Sequence, residues 1–260
     1  EVERRLRYYA THDALTGLPN RLDFQQRLDE TIQDAQARGA HDYAVLFLDL
    51  DGFKLINDSL GHAAGDRLLV GLAGKVTDLL GGEALVARYG GDEFTILPYG
   101  RCDRDRAVSI ARRVIDLFAT PIVMGEDEAF SSASVGVVLG ASTYREASQV
   151  LRDADTAMYR AKAAGKSGFA LFDEAMHAEA RQRFEMEVAM RAGLERGEFE
   201  VHFQPIVELS GLRLVGCEAL IRWRHPKRGL LLPGEFLHVA EESGLIVRMD
   251  AAALEQACRQ

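Results

Sequence analysis

Two carboxylates stand in a short segment that has the pattern of a β-hairpin. Residues 84–97 read A-L-V-A-R-Y-G-G-D-E-F-T-I-L, so two apolar runs flank a Gly-Gly pair that is followed by Asp92 and Glu93. Gly-Gly pairs between β-branched and aromatic runs are typical of tight hairpin turns. The pattern predicts a hairpin with Asp92 and Glu93 at its tip. On its own, such an acidic tip most often indicates a solvated turn.

Further carboxylates occur at the end of a second apolar run. Residues 43–50 are nearly all apolar, as in a central strand covered on both faces, with Asp49 near its end and Asp51 just beyond. If this strand and the hairpin are neighbours in one sheet, Asp49 faces Asp92 and Glu93 across a cleft. Converging carboxylates repel one another unless a divalent cation lies between them, and oxygen ligands favour Mg²⁺ or Mn²⁺.

The next segment carries groups that suit a guanine nucleotide. The backbone N–H groups of Gly52, Phe53 and Lys54, together with the Lys54 ammonium, could hold a polyphosphate. Asn57 and Asp66 follow. A carboxylate accepts hydrogen bonds from guanine N1–H and N2–H, whereas adenine offers no such pair of donors.

Alternating strands and helices must position these residues. Apolar spacing predicts helices at about 21–35, 68–80, 107–118 and 147–162, and strands at 43–50, 85–89, 94–97, 130–139 and 169–172. This order predicts an α/β (α+β) domain with a mixed sheet over residues 13–173.

The ends of the chain suggest a fragment of a longer protein. Val2, Leu6 and Tyr9 lie on one helical face, which predicts the end of an incoming signalling helix over residues 1–12. A charged helical stretch over 174–197 indicates an interdomain linker. Residues 198–260 contain two predicted strands, too little for one core, and we interpret them as the beginning of a second domain.

Composition limits the kinds of partner. The 260 residues are 47% hydrophobic, and the net charge of -9 comes without a Lys/Arg block, which argues against extended nucleic-acid binding. Three isolated cysteines indicate a reducing compartment without structural zinc. No apolar run approaches the length of a membrane span, so we expect a cytoplasmic chain, although its parent protein could be membrane-anchored.

Four ordered motifs resemble the GGDEF diguanylate cyclases, over about residues 8–172. They are D-x-L-T-G-L-P-N-R (13–21), D-L-D-G-F-K (49–54), N-D-x-x-G-H-x-x-G-D (57–66) and R-Y-G-G-D-E-F (88–94). The resemblance implies a palm-like fold, related to nucleotide cyclases and polymerases, with a five-stranded sheet. It also implies that two GTP molecules are condensed into cyclic di-GMP with release of two pyrophosphates.

The same resemblance implies roles for individual residues. Asp49, the Leu50 carbonyl and Asp92 would bind the metals, with Glu93 assisting, and either Asp92 or Glu93 would help to deprotonate the attacking 3′-hydroxyl. Asn57 and Asp66 would bind guanine in a pocket lined by Leu60 or His62. The residues expected at the phosphates are Phe53, Lys54, Lys162 and Lys166. The implied mechanism is two-metal catalysis. Each half-site offers a nucleophile and an α-phosphate to its partner, so the reaction needs two such domains that face each other as a homodimer.

The chain departs from the family pattern at two places. Residues 81–84 read G-G-E-A where many members carry the R-x-x-D product-inhibition motif, so feedback by that route should be missing. Residues 165–168 read G-K-S-G in place of the usual G-R-N-R. Lysine keeps the charge but loses the bidentate fork of arginine, which would weaken triphosphate binding.

The remaining residues resemble the start of an EAL cyclic di-GMP phosphodiesterase. The matching motifs are F-Q-P-I (203–206), E-A-L-I-R-W (218–223), H-P (225–226) and A-E-E-S-G-L-I (240–246). The resemblance implies the first part of a β/α barrel, in which Glu218 is a metal ligand and Gln204 and Arg222 contact the dinucleotide. The remaining residues of that site would lie beyond residue 260.

Two other functions remain open at this stage. The first domain could be a catalytically silent GTP-binding module that controls the attached phosphodiesterase, or a dimerisation scaffold. The acidic residues favour the active enzyme, because a scaffold has no need of them. We expect an upstream sensory domain in the parent protein. We also expect Asp13 and Arg21 to pair at the entry turn, and His62 to be more often structural than catalytic.

Overall fold

The computed structural model describes residues 10–124, 127–129 and 131–259. It divides into two compact units, residues 1–176 and 177–260. The incoming helix that Val2, Leu6 and Tyr9 predict falls on residues 1–9, which lie outside the described residues.

The first unit alternates helices and strands in the predicted manner. Its elements are α1 (Arg21–Arg38), β1 (Ala44–Asp51), α2 (Phe53–Leu60), α3 (His62–Leu80), β2 (Ala84–Gly90), β3 (Glu93–Pro98), α4 (Arg104–Asp116), β4 (Ile122–Met124), β5 (Asp127–Ala129), β6 (Ser132–Leu139), α5 (Ala147–Ala163) and β7 (Gly168–Leu171). Asn20 begins α1 as predicted, because its side chain accepts hydrogen bonds from the N–H groups of Leu22 and Asp23.

A five-stranded mixed sheet forms the centre of this unit, in the order β2-β3-β1-β6-β7. Strand β1 is antiparallel to both β3 and β6, and β7 is parallel to β6. Side chains of alternating residues in β1 enter two separate cores. Leu46, Leu48 and Leu50 pack with α3 and α4, whereas Val45 and Phe47 pack with α1 and α5. Asp49 and Asp51 continue the second series, and therefore lie on the face that α5 covers.

Two details of this unit differ from the sequence prediction. Phe53 and Lys54 lie in the first turn of α2 rather than in a loop, and Gly52 enters the helix with a φ of 76°. A short antiparallel pair, β4 and β5, follows α4 and was not predicted. Apolar periodicity did not reveal α2, because its eight residues are fewer than the window over which a helical period is read.

The second unit is a three-stranded antiparallel sheet with helices. Its elements are α6 (Ala175–Arg196, beginning in the first unit), β8 (Phe199–Glu208), β9 (Arg213–His225), β10 (Gly229–Leu231), α7 (Leu237–Glu242) and α8 (Ile246–Arg259). The stretch that we expected to be a linker forms α6, and Met190 near its end is fully buried in a core with Phe199, Trp223 and Phe236. The second unit is incomplete as a domain.

The three cysteines are free, with Cys102 buried and Cys217 and Cys258 exposed. Across the described ranges, every helix is too short or too polar to cross a lipid bilayer.

Candidate active site

The β2–β3 hairpin brings the acidic tip to the end of β1. Gly90 pairs with Glu93, so Gly91 and Asp92 form the turn, and an irregularity at Tyr89 precedes it. Strand β3 then runs antiparallel to β1 with Asp49 directly opposite Glu93. The strand and the hairpin are thus neighbours in one sheet, which is the condition under which Asp49 was expected to face the acidic tip.

Arg88 braces the hairpin tip from its other face. Its Nη1 donates to both carboxylate oxygens of Asp13, at 3.0 and 3.1 Å, and its Nε and Nη2 donate to the Gly91 carbonyl at 3.0 and 2.7 Å. The predicted pair of Asp13 with Arg21 is wrong, because Arg21 instead lies over the ring of Tyr89, 4.8 Å from its centroid. The entry turn is therefore tied to the tip that carries Asp92.

Helix α5 supplies a cation to the carboxylates. Lys162 Nζ lies 2.6 Å from Asp49 Oδ1. The helix can approach the sheet so closely because β6 has Gly136 at the crossing, where a Cβ would lie 1.9 Å from the Ala154 carbonyl oxygen. Lys162 was expected at the phosphates; in this structure it neutralises Asp49.

Burial and mutual repulsion act on the carboxylates of this site. Burial raises the pKa of Asp49, the Lys162 ammonium opposes that shift, and the charges on Asp92 and Asp51 add to it. Burial also raises the pKa of Glu93, and the neighbouring charges of Asp155, Asp49 and Asp92 raise it further. The ionised site is therefore short of positive charge.

The donor set suits a hard divalent cation. Within the described ranges, no three His, Cys, Asp or Glu side chains are arranged as a ready metal site. The coupled carboxylates of Asp49, Asp92 and Glu93, with the Leu50 carbonyl, nevertheless offer only oxygen ligands. This chemistry fits Mg²⁺ or Mn²⁺, because a bound cation would stabilise the ionised forms of Asp49 and Glu93, whose pKa values are raised by burial and by neighbouring carboxylates.

The residues expected to bind guanine lie around the junction of α2 and α3. Asn57 is in α2, and its Oδ1 is buried and has no hydrogen-bond partner. His62 and Asp66 lie in the first turns of α3, and Leu60 at the end of α2 is largely exposed. Gly65 permits the close approach of the two helices, since a Cβ there would lie 2.0 Å from Asn57 Oδ1.

Two carboxylates near the site have roles that the sequence did not suggest. Asp51 accepts hydrogen bonds from Ser132, Ser134 and Ser167, so it is engaged away from the hairpin tip. The charge of Asp155 on α5 raises the pKa of Glu93, and Asp155 lies two helical turns before Lys162. The spacing 155–162 on one helix face was the available signal for Asp155.

Lys54 and Lys166 are exposed, Lys54 in the first turn of α2 and Lys166 just after α5.

In the second unit, Gln204 on β8 lies directly opposite Glu218 on β9, and both are exposed. Arg222 is four residues after Glu218 on the same strand, and so on the same face.

Comparison with family models identifies both parts of the chain. Residues 10–168, more than half of it, match the model described as diguanylate cyclase, GGDEF domain. Residues 187–260 match the EAL domain model.

Two curated relatives are named for both activities or for one of them. The chain is 39% identical over 259 residues to the bifunctional diguanylate cyclase/cyclic di-GMP phosphodiesterase MucR of Pseudomonas aeruginosa, covering 100% of this chain and 38% of MucR. It is 35% identical over 259 residues to the cyclic di-GMP phosphodiesterase PdeR of Escherichia coli, again covering 100% of this chain and 38% of that protein. The chain thus spans about two fifths of these relatives.

Solved GGDEF structures share the fold of the first unit. The GGDEF domain of YfiN from Pseudomonas aeruginosa is 37% identical with a TM-score of 0.62, covering 65% of this chain and 99% of that one. The diguanylate cyclase SiaD from the same organism, in complex with its activator SiaC, is 33% identical with a TM-score of 0.59 and covers 65% of each chain.

Proposed function

The chain belongs to the GGDEF domain family of diguanylate cyclases, and we propose that its first domain condenses two molecules of GTP into cyclic di-GMP with release of two pyrophosphates. The second unit would be the first part of an EAL phosphodiesterase domain, to which Gln204, Glu218 and Arg222 belong. We assign residues 13–173 to the cyclase domain and 198–260 to the EAL part.

The observation that carries the proposal is the register of Asp49 with Glu93 at the end of the central sheet. This pairing places a buried carboxylate beside the acidic turn, and Lys162 reaches it from α5. A domain that only holds a fold gains nothing from placing Asp49 and Glu93 where burial, and then the charges of neighbouring carboxylates, raise their pKa values. Nucleotidyl transfer uses such a cluster to hold divalent cations, which neutralise the negative charge of the triphosphate.

Asp49, the Leu50 carbonyl, Asp92 and Glu93 would hold Mg²⁺ or Mn²⁺. When bound, these ions supply charge neutralisation on the triphosphate and lower the pKa of the attacking 3′-hydroxyl. The carboxylate of Asp92 or of Glu93 would accept the proton from that hydroxyl. Phe53 and Lys54 at the start of α2, with Lys162 and Lys166, would contact the phosphates.

Recognition of guanine is supported by the placement of Asn57 and Asp66 at the junction of α2 and α3. The Asn57 amide would hydrogen-bond to one edge of the base. Asp66 would accept from N1–H and N2–H on the same edge. His62 or Leu60 would line the pocket.

The reaction requires a homodimer, because each bound GTP must present its 3′-hydroxyl to the α-phosphate of the other. The proposed partners are therefore GTP, cyclic di-GMP and a second copy of this chain. A monomer should be inactive.

The test is incubation of the purified chain with GTP and Mg²⁺ at several protein concentrations, followed by chromatographic separation of the products. Cyclic di-GMP formation that rises more steeply than linearly with protein concentration would support the cyclase and its dimer. GTP binding without product at every concentration would instead support the silent regulatory module.

The matched variant for this assay is Asp92→Ala, which removes a half-buried carboxylate from the hairpin turn. We expect it to abolish synthesis while the circular dichroism spectrum stays unchanged. Full turnover by Asp92→Ala would refute the assignment of the metal-binding residues.

A further inference from the structure

We propose that Asp51 is a positioning residue that holds the turn after α5 and thereby places Lys166 at the triphosphate. The inference rests on the proposed function for the role of Lys166. Asp51 itself touches neither substrate nor metal in this proposal.

The sheet register brings the partners of Asp51 together. Asp51 lies opposite Ser132 in the antiparallel β1–β6 pair, and Ser134 is the next residue of β6 on the same face. Ser132 Oγ donates to Asp51 Oδ2 at 2.7 Å, and Ser134 Oγ donates to Oδ1 at 2.8 Å. The carboxylate is thus fixed by two hydroxyls that belong to the rigid centre of the sheet.

The third donor to Asp51 belongs to the turn. The backbone N–H of Ser167 donates to Asp51 Oδ2 at 3.1 Å, across 116 positions of the sequence. Ser167 stands between Lys166 and Gly168, which pairs with Ser134 at the start of β7. One carboxylate therefore connects β1, β6 and the turn that carries Lys166.

This turn needs an external partner because its backbone is strained. Lys166 and Ser167 have φ values of 63° and 51°, in the left-handed region that non-glycine residues rarely adopt. The helix end satisfies Lys166, whose N–H donates to the carbonyls of Ala161 and Lys162, each at 3.2 Å. The helix end offers no acceptor to the N–H of Ser167, and this group donates instead to Asp51.

Hydrogen bonding rather than charge should be the property that matters at Asp51. An asparagine keeps one oxygen that can accept from Ser167 and Ser132, and its amide can donate to the Ser134 hydroxyl. Asp51→Asn should therefore preserve the turn. Asp51→Ala removes all three hydrogen bonds and leaves the N–H of Ser167 without its partner.

The first experiment measures the turn without any nucleotide. Limited trypsin digestion cleaves after lysine, so cleavage between Lys166 and Ser167 reports opening of the turn. We expect Asp51→Ala to be cut there about tenfold faster than wild type, because hydrogen bonds to charged groups contribute strongly. Asp51→Asn and the exposed control Asp116→Asn should match wild type. Equal cleavage of Asp51→Ala and wild type would overturn the proposal.

The second experiment connects the turn to the triphosphate through a double-mutant cycle. The affinities of a non-hydrolysable GTP analogue and of GMP are measured for wild type, Asp51→Ala, Lys166→Ala and the double variant. We expect both single variants to bind the GTP analogue about tenfold more weakly while GMP affinity is unchanged, and the double variant to be no weaker than either. Asp51→Asn should retain wild-type affinity. Additive losses, or an equal loss for GMP, would show that Asp51 does not act through Lys166.

The two experiments separate failure of this inference from failure of the proposed function. A wild-type chain that binds no GTP analogue would overturn the proposed function and the triphosphate role of Lys166, whereas the trypsin result would still decide whether Asp51 holds the turn. If Asp51→Ala does not fold, Asp51→Ser replaces it in both experiments, since a single hydroxyl cannot bridge the three donors.

Discussion

At the residue scale, the site combines groups that destabilise one another. Glu93 is partly buried beside Asp49, Asp92 and Asp155, and the Lys162 ammonium partly offsets this charge. Burial and like charge both raise the pKa of Glu93, which means that its ionised form is less stable in the folded chain than in the unfolded one. The site is thus arranged for a ligand that brings positive charge.

Glu93→Gln should stabilise the chain when no divalent cation is added. Since the folded pKa of Glu93 is raised, its cost to stability is absent below the ordinary value of 4.5, grows as pH rises from there and is complete above the folded pKa. We expect the Tm at pH 7 to rise by about 2–4 °C, and the difference to disappear below about pH 4. Thermal unfolding with EDTA at a series of pH values measures this.

The control for that prediction is Glu30→Gln, which neutralises an exposed glutamate of α1. It should change the Tm little at any pH. Added Mg²⁺ should stabilise wild type more than Glu93→Gln. A lower Tm for Glu93→Gln at pH 7 would contradict the argument from repulsion.

The pKa of Asp13 is shifted in the opposite direction to that of Glu93. Burial alone would raise its pKa, but hydrogen bonds from Thr16 and Arg88 outweigh burial and lower it below 3.8. Its contribution to stability is therefore present above the unfolded pKa and is lost as pH falls through the folded one. Asp13→Asn should lower the free energy of unfolding by about 1–2 kcal/mol at pH 7, with the difference shrinking below pH 4. Urea unfolding at pH 7, 5 and 3 tests this; a constant difference would refute it.

At the element scale, the contact of α5 with the sheet determines whether Lys162 reaches Asp49. Gly136 in β6 lies directly beneath this helix, and a Cβ there would meet the Ala154 carbonyl at 1.9 Å and the Met158 nitrogen at 2.3 Å. These are backbone atoms, so they cannot move aside without moving the helix.

Gly136→Ala should therefore displace α5 and separate Lys162 from Asp49. We expect the free energy of unfolding to fall by about 3 kcal/mol. We also expect the rate of cyclic di-GMP synthesis per folded molecule to fall, because Lys162 no longer reaches Asp49. The matched control is Gly74→Ala on α3, where a Cβ meets nothing within 4 Å, and which should stabilise by up to about 1 kcal/mol. Equal stabilities for the two variants would show that the close approach is unimportant.

The sequence predicted the elements whose apolar pattern is regular. The stripe of Phe24, Leu28, Ile32 and Ala35 gave α1, and the continuous apolar run gave β1, because both are buried along their full length. Helix α2 escaped prediction because it has only eight residues and begins directly after a glycine. Its apolar residues Phe53 and Ile56 pack on the core, but helical periodicity is read over about 11 to 18 residues, so a helix this short leaves little signal.

Within the candidate site, sequence reasoning found the carboxylates but not what holds them. The register of Asp49 with Glu93 follows from neighbouring strands that the sequence suggested. Asp13, which pairs with Arg88, and Ser167, which donates to Asp51, lie 75 and 116 positions away from these residues, and local patterns carry no information about such pairs. Only the folded sheet brings these residues together.

At the scale of the whole molecule, the two units have separate cores. All members of the two clusters that cover the central sheet lie between Leu15 and Phe172. The cluster of the second unit is smaller and is built from residues between Met186 and Met249 around Trp223. Each unit can therefore be considered as an independent source of stability.

Deleting residues 177–260 should leave the first unit folded. Since its clusters contain no member beyond Phe172, we expect the shortened chain to unfold in one cooperative transition within a few degrees of the corresponding transition of the full chain, and to bind the same GTP analogue with unchanged affinity. Calorimetry and nucleotide titration measure both properties. The reciprocal piece, residues 177–260, should be less stable, because it has the smaller core and its sheet leaves Ile206, Leu214 and Val215 exposed. A shortened first unit that melts broadly or loses the nucleotide would show that its stability depends on residues beyond Met176, and the division into independent cores would then be wrong.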